Sequence, residues 1–245
     1  MAKSTKSSKD RDRRAVVEQM RRDQKKAERR RTIVVIAVCV VVALVIIGLA
    51  AIPLLKQSKL TSGDLASIGA SEKAAGCRPV LKKKATGNQD HKPEGTPITY
   101  PDAPPAFGPH YPVTAPFERK FYTTKDRPQI EYVVHNLEHG YSLLWYDATI
   151  AKDPEKLDVV KAISQKYAGT KLTDKFIALP WTSKDGKAFP SGTHVALTHW
   201  SAGGDPSDVS KQQGIWQYCA TPSGAVTEQF TKDYPYSDSP EPQAT

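Results

Sequence analysis

Apolar residues along this chain follow three different rhythms. The first is an unbroken run at residues 32–55, TIVVIAVCVVVALVIIGLAAIPLL, with no charge in 24 residues. At 1.5 Å per residue, a helix of that length crosses a hydrocarbon core of about 30 Å with some tilt. The second rhythm is a set of short β-branched and aromatic runs at residues 130–134, 141–146, 175–181 and 193–200, each predicted as a strand. The third is helical. Asp153-Pro154-Glu155 opens a segment in which Leu157, Val160, Ile163 and Tyr167 recur at spacings of three and four, and Gly169 follows as a stop. Asp205-Pro206-Ser207-Asp208 also has helix-start chemistry, which predicts a short helical segment running through Ile215 and Trp216. Between the membrane-length run and the strands lies KPEGTPITYPDAPPAFGPHYPVTAP, where proline removes donors and favours extended backbone. Ordered loop or short edge strand is expected there. Strands with a few helices and no regular βαβ alternation predict an α+β domain built on a small, mostly antiparallel sheet.

Charge changes the picture at one end only. Residues 1–31 carry 13 Lys/Arg against 5 Asp/Glu, and the other 214 residues carry 22 against 21. The folded part is nearly neutral, so a nucleic-acid-binding domain, which needs a basic face of its own, is excluded. Arg29, Arg30 and Arg31 abut the apolar run, and the positive-inside rule then leaves the N-terminus in the cytoplasm and the rest outside. A cleaved signal peptide is the competing reading. The run exceeds the usual apolar core of such peptides, and a 31-residue basic segment precedes it. The basic segment itself reads as a topology signal with a solvated helical face, or as a surface for anionic lipid head groups. The predicted order is a basic cytoplasmic tail (1–31), a transmembrane helix (32–55), a polar stalk (56–76), an extracytoplasmic domain (77–230) and a disordered tail (231–245). The expected setting is a plasma membrane.

Three cysteines refine this. Cys39 lies inside the apolar run, where it packs as a small hydrophobe. Cys77 and Cys219 flank the outer domain, and outside the cytoplasm such a pair is most economically a disulfide, worth about 4–5 kcal/mol at most in the chain-entropy model. Free thiols serving a metal or redox reaction are the alternative, without the C-x-x-C spacing such sites use.

The candidate chemistry sits in VVHNLEHGYSLLWY. HNLEH matches H-x-x-E-H, a zinc-protease pattern that works only when a helix puts both histidines on one face and the glutamate beside the bound water. With valines before it and Gly140 immediately after, the segment is predicted to lack such a helix, and no third ligand is evident. Four of the six histidines, His91, His110, His135 and His139, nevertheless fall within 49 residues. Imidazole suits zinc and copper, and proline-rich loops can hold it rigidly, so these four are the candidate metal ligands. Glu138 is a candidate second-sphere acceptor, or a general base in the hydrolase alternative. The opposing reading is a polar turn in which the same side chains cap backbone groups. His194 and His199 are expected to be ordinary sheet residues, and Trp145, Trp181, Trp200 and Trp216 core residues.

The combination TYPDAPPAFGPHYP, VHNLEHGYSLLWY and ALTHW resembles a bacterial family designated a domain of unknown function. That family is common in actinobacteria and often carries one N-terminal membrane anchor. The resemblance covers about residues 77–230. It implies His91, His110, His135, Asn136, Glu138 and His139 as site residues. Phe107 stands where the family's turn usually has serine, and His199 interrupts its usual small-residue–tryptophan step. The expected role is a membrane-anchored metal- or ligand-binding module whose partners are the membrane and an unidentified envelope protein or small ligand. A non-catalytic envelope domain and a metal-dependent hydrolase are the alternatives.

Overall fold

The computed structural model describes residues 4–244. Near Lys56 the chain divides into an N-terminal helical unit and a folded unit that begins at Gln57. The first unit consists of helix α1 (Ser4–Ser62), which continues past the division. It contains one stretch, Arg13–Ile52, long and apolar enough to cross a membrane. Large apolar side chains from Ile33 to Ile52 are exposed along it. So much uncovered apolar surface on one helix marks a membrane segment or a signal sequence.

The folded unit is an α+β domain around a five-stranded sheet in the order β1-β5-β4-β2-β3. Its strands are β1 (Leu81–Lys84), β2 (Ser142–Tyr146), β3 (Phe176–Pro180), β4 (Val195–Ser201) and β5 (Gln213–Cys219). Only β2 and β3 run parallel, and the other three pairings are antiparallel. Parallel neighbours require a crossover, supplied by α3 (Ala148–Ala151) and α4 (Pro154–Gln165). Asp147 and Asp153 cap the two helices by accepting from the backbone N–H groups two and three residues on.

Alternation along the strands sends side chains to two separate cores. Leu143, Trp145, Ile177, Leu179, Ala196, Trp200 and Trp216 pack on one face. Leu144, Tyr146, Phe176, Ala178, Val195, Leu197 and Ile215 pack on the other, with Val160 and Ile163 of α4 and with Val226 and Phe230 of α5 (Gly224–Asp233). Because β2, β3 and β4 are buried on both faces, their sequences read as continuous apolar runs. The first face is covered by the proline-rich segment and by helix α2 (Ile130–Glu138). The disulfide between Cys77 and Cys219 ties the start of the domain to the end of β5.

The structure corrects four expectations. Residues 130–134 form the first half of α2 rather than a strand. Ile130, Val133, Val134 and Leu137 are all buried at spacings of three and four, a helical stripe whose β-branched composition suggested otherwise. The segment after Asp205-Pro206 becomes β5 after a single 3₁₀ turn at Val209–Lys211. Asp205 and Asp208 spend their side chains on local turns, accepting from Ser207 N and Ser210 N, so no helix propagates. The stretch at 56–76 is no simple stalk, because Ile68 and Ala75 are buried in the second core. The tail at 231–245 is not disordered through its described residues. Its Asp238 carbonyl accepts from His199 Nε2 at 2.9 Å, its Asp238 carboxylate from Ser201 Oγ at 2.6 Å, and Lys175 Nζ donates to the Pro242 and Ala244 carbonyls. Ser/Pro-rich composition hid a segment held by side chains from elsewhere in the fold.

Candidate metal centre

Helix α2 lies against the sheet with its C-terminal turn pointing at two loops. Gly140 ends it at φ 91°, beneath the tail; a Cβ there would lie 2.4 Å from the Tyr236 carbonyl oxygen. The two loops carry His91 and His110 and are stitched together by backbone bonds, Lys92 N to His110 O at 2.7 Å and His110 N to Asp90 O at 3.2 Å. Gly87 permits that approach: a Cβ on it would sit 2.6 Å from Gly108 C and Pro109 N. Asn136 fixes a further stretch of the proline-rich segment. Its side chain accepts from Ala115 N at 2.9 Å and donates to Ala115 O at 3.0 Å, fully buried. Asn136 thus belongs to the packing of the loop on the helix and does not face the histidines' donor atoms.

These supports bring His91, His110, His135 and Glu138 together, one donor atom from each lying within 4.8 Å of the others. His91 Nε2 is 3.5 Å from His135 Nε2, and His110 Nε2 is 3.0 Å from Glu138 Oε2. His91 is exposed and the other three are buried. His139 does not join the group. Its Nε2 turns instead to Glu241 Oε2 at 3.5 Å, and Glu138, His139 and Glu241 form a second group with the same 4.8 Å spread. Glu138 is common to both.

Several buried atoms of the group lack a hydrogen-bond partner. His110 Nδ1 lies 2.8 Å from the Gly108 carbonyl, which only accepts, so Nδ1 carries a hydrogen and Nε2 is the ring nitrogen turned to Glu138. Nε2 then meets a carboxylate oxygen, and the pair lacks hydrogen-bond alignment. His110 Nε2 and Glu138 Oε2 are buried with no hydrogen-bond partner, and so is His135 Nδ1, the ring nitrogen turned away from His91. Burial, reinforced by the neighbouring His110 and His139, pushes His135 down to about 4, so its ring is neutral at physiological pH. Burial alone would push the Glu138 carboxyl up; the His110 imidazole and the Gln89 N–H, which donates to Oε1 at 2.6 Å, outweigh it and hold it down. The result is an ionised carboxylate beside the neutral His135 ring, a donor state that suits a cation.

Residues 91–245 match the model of a family described as "Protein of unknown function (DUF3105)". The chain belongs to this family. The matched segment begins at His91 and contains every member of both donor groups. Searches of curated proteins and of solved structures returned no match.

Within this DUF3105 domain the remaining candidates have structural settings. Phe107, where serine was expected from the resemblance, packs edge-on to Trp200 and Trp216 at 6.1 and 5.8 Å, so that position fills the core. His199 is buried between the Tyr141 and Asp238 carbonyls, and His194 pairs with Asp147 at 2.8 Å. Trp145, Trp181, Trp200 and Trp216 are all core residues. Two residues beside the donor groups had no signal in the sequence. Glu241 lies in a tail that reads as disordered, and Gln89 holds both carboxylates, Glu138 through its backbone N–H and Glu241 through its side-chain amide at 3.0 Å.

Proposed function

We propose that this DUF3105 domain is a histidine-based metal-binding module tethered to a membrane, with His91, His110, His135 and Glu138 as the ligands. The carrying observation is the convergence of these four donors around buried atoms that have no other hydrogen-bond partner. Tetrahedral zinc with bonds near 2.0–2.1 Å places its ligands about 3.3 Å apart. The His110–Glu138 and His91–His135 separations of 3.0 and 3.5 Å bracket that value, and the other donor pairs, within 4.8 Å, would draw closer on binding. Three imidazoles and a carboxylate suit zinc or copper better than calcium or magnesium. The Gly108 carbonyl behind His110 and the Gln89 N–H behind Glu138 are the second-sphere partners that orient metal ligands.

The apolar helix acts as an uncleaved anchor, with Arg29–Arg31 on the cytoplasmic side and the domain in the cell envelope, where a disulfide is stable. Partners are then the membrane and an envelope protein or small ligand that delivers or accepts the metal. A hydrolase reading is less well supported, since Glu138 is fully buried, with Oε1 held by the Gln89 N–H and the carboxylate set among the other donors.

The test is equilibrium dialysis of the full-length protein in detergent against Zn²⁺ and Cu²⁺, after chelation. Stoichiometric binding is expected. His110→Ala and His135→Ala should weaken it by more than the about 10–100-fold that follows loss of a mere second-sphere partner. Absence of bound metal at stoichiometric supply, or equal affinity in a folded His91/His110/His135 triple-alanine variant, would leave only a structural polar cluster.

A further inference from the structure

The second donor group points to a second cation. We propose that Glu138, His139 and Glu241 hold another divalent metal ion beside the first, with the Glu138 carboxylate bridging the two. The inference rests on the reading of the histidine site and extends it from a mononuclear to a dinuclear centre.

Three observations carry it. One donor atom from each of Glu138, His139 and Glu241 lies within 4.8 Å of the others, the same spread as in the histidine group. Glu138 is fully buried and its Oε2 has no hydrogen-bond partner, so an unsatisfied anionic oxygen lies at the junction of the two groups. Among the described residues no lysine or arginine forms an ion pair with either Glu138 or Glu241; each meets only a histidine, His110 or His139. Two carboxylates brought together in a partly buried place need a positive charge, and a cation between them supplies it.

The scaffold is arranged for this. Gln89 grips one oxygen of each carboxylate, Glu138 Oε1 by its backbone N–H and Glu241 Oε1 by its side chain, which aims the partner oxygens rather than neutralising them. The Glu138 carbonyl accepts from Glu241 N at 3.0 Å, pinning the tail to the end of α2. One imidazole and two carboxylates form a harder donor set than three imidazoles and a carboxylate, so the second position leans toward oxygen-preferring divalent ions while remaining competent for zinc. Carboxylate-bridged pairs of this kind hold their metals about 3.5–4 Å apart.

Zn²⁺ is the probe, applied to the full-length protein in detergent, with bound metal counted by elemental analysis across a dialysis series. Wild type should take up two equivalents. Glu241→Gln, a near-isosteric change on a half-exposed residue, should keep the first equivalent and weaken the second at least tenfold. Glu241→Ala serves as the second variant, with circular dichroism confirming the fold of each. One equivalent in wild type, unchanged in Glu241→Gln, would overturn the dinuclear centre and leave the histidine site standing. Two equivalents in both proteins would overturn the assignment to Glu241. No zinc in wild type would remove both readings together.

Discussion

Replacing Asn136 by alanine separates the support of the site from the site itself. The Asn136 amide is fully buried and meets the Ala115 backbone twice, accepting at 2.9 Å and donating at 3.0 Å. Ala115 is itself buried, at 2% exposure, so its N–H and carbonyl lose their partners without gaining water. Each unsatisfied buried backbone group costs about 1–3 kcal/mol, and together the two predict a loss of about 2–6 kcal/mol. For a domain of this size, a loss near 3 kcal/mol lowers Tm by about 6–12 °C. The assay is thermal unfolding of metal-free protein, followed by zinc affinity measured well below the lowered Tm. Affinity should fall less than in His110→Ala, because Asn136 holds the loop and touches no donor atom. A loss below about 1 kcal/mol would mean that the Ala115 clamp is not made in solution. Intact stability with zinc binding abolished would place Asn136 among the ligands' direct partners, contrary to the geometry.

Three further outcomes test other parts of the structure. His135 is held down to about 4 from an ordinary 6.5, so between these values the unfolded chain binds a proton that the folded protein refuses, and stability falls as pH drops below 6.5. At pH 5.5 that loss is about 1.4 kcal/mol, and metal-free wild type should lose that much more stability between pH 7.5 and 5.5 than His135→Gln; equal losses would refute it. Replacing both Cys77 and Cys219 by serine opens a loop of sequence separation 142 and should cost about 2–5 kcal/mol, read by urea unfolding with and without reductant. Lys175→Met removes an ammonium that donates to the carbonyls of His139, Pro242 and Ala244, so the C-terminal segment should become cleavable by dilute protease while the sheet stays intact.

Strands β2, β3 and β4 were readable because they are buried on both faces and therefore appear as uninterrupted apolar runs, whereas the exposed β1 gave no apolar run and β5 was masked by the helix-start chemistry of Asp205-Pro206 before it. Helix α4 was readable because one face is solvated and Asp153-Pro154 marks its start. Helix α2 was not. Val133 and Val134 suggested a strand by composition, yet Ile130, Val133, Val134 and Leu137 are the buried residues that define its helical face. Cys77–Cys219 pairing could be inferred from compartment and count. The three imidazoles His91, His110 and His135 could be nominated from their density along the chain. Their meeting could not, because it depends on backbone bonds between two proline-rich loops that carry no periodic signal. Glu241 was illegible for a related reason: its place is fixed by Gln89 and by the backbone of α2, both distant in sequence.

The same helix decides what the H-x-x-E-H motif means here. The motif needs α-helix, and residues 135–138 are helical, with His139 at the cap, so the missing-helix objection to a protease no longer holds. What argues against a protease is the direction of the side chains. In that chemistry both histidines bind one metal while the glutamate stays free to take a proton from water. In this fold His135 turns to His91 and His110, His139 turns to Glu241, and Glu138 sits between them with one oxygen on Gln89 N and the other beside His110. A fully buried glutamate set among the other donors is poorly placed as a general base and well placed as a ligand. The sequence pattern of a catalytic helix is therefore used to split two histidines between neighbouring donor groups, which favours holding metal over activating water.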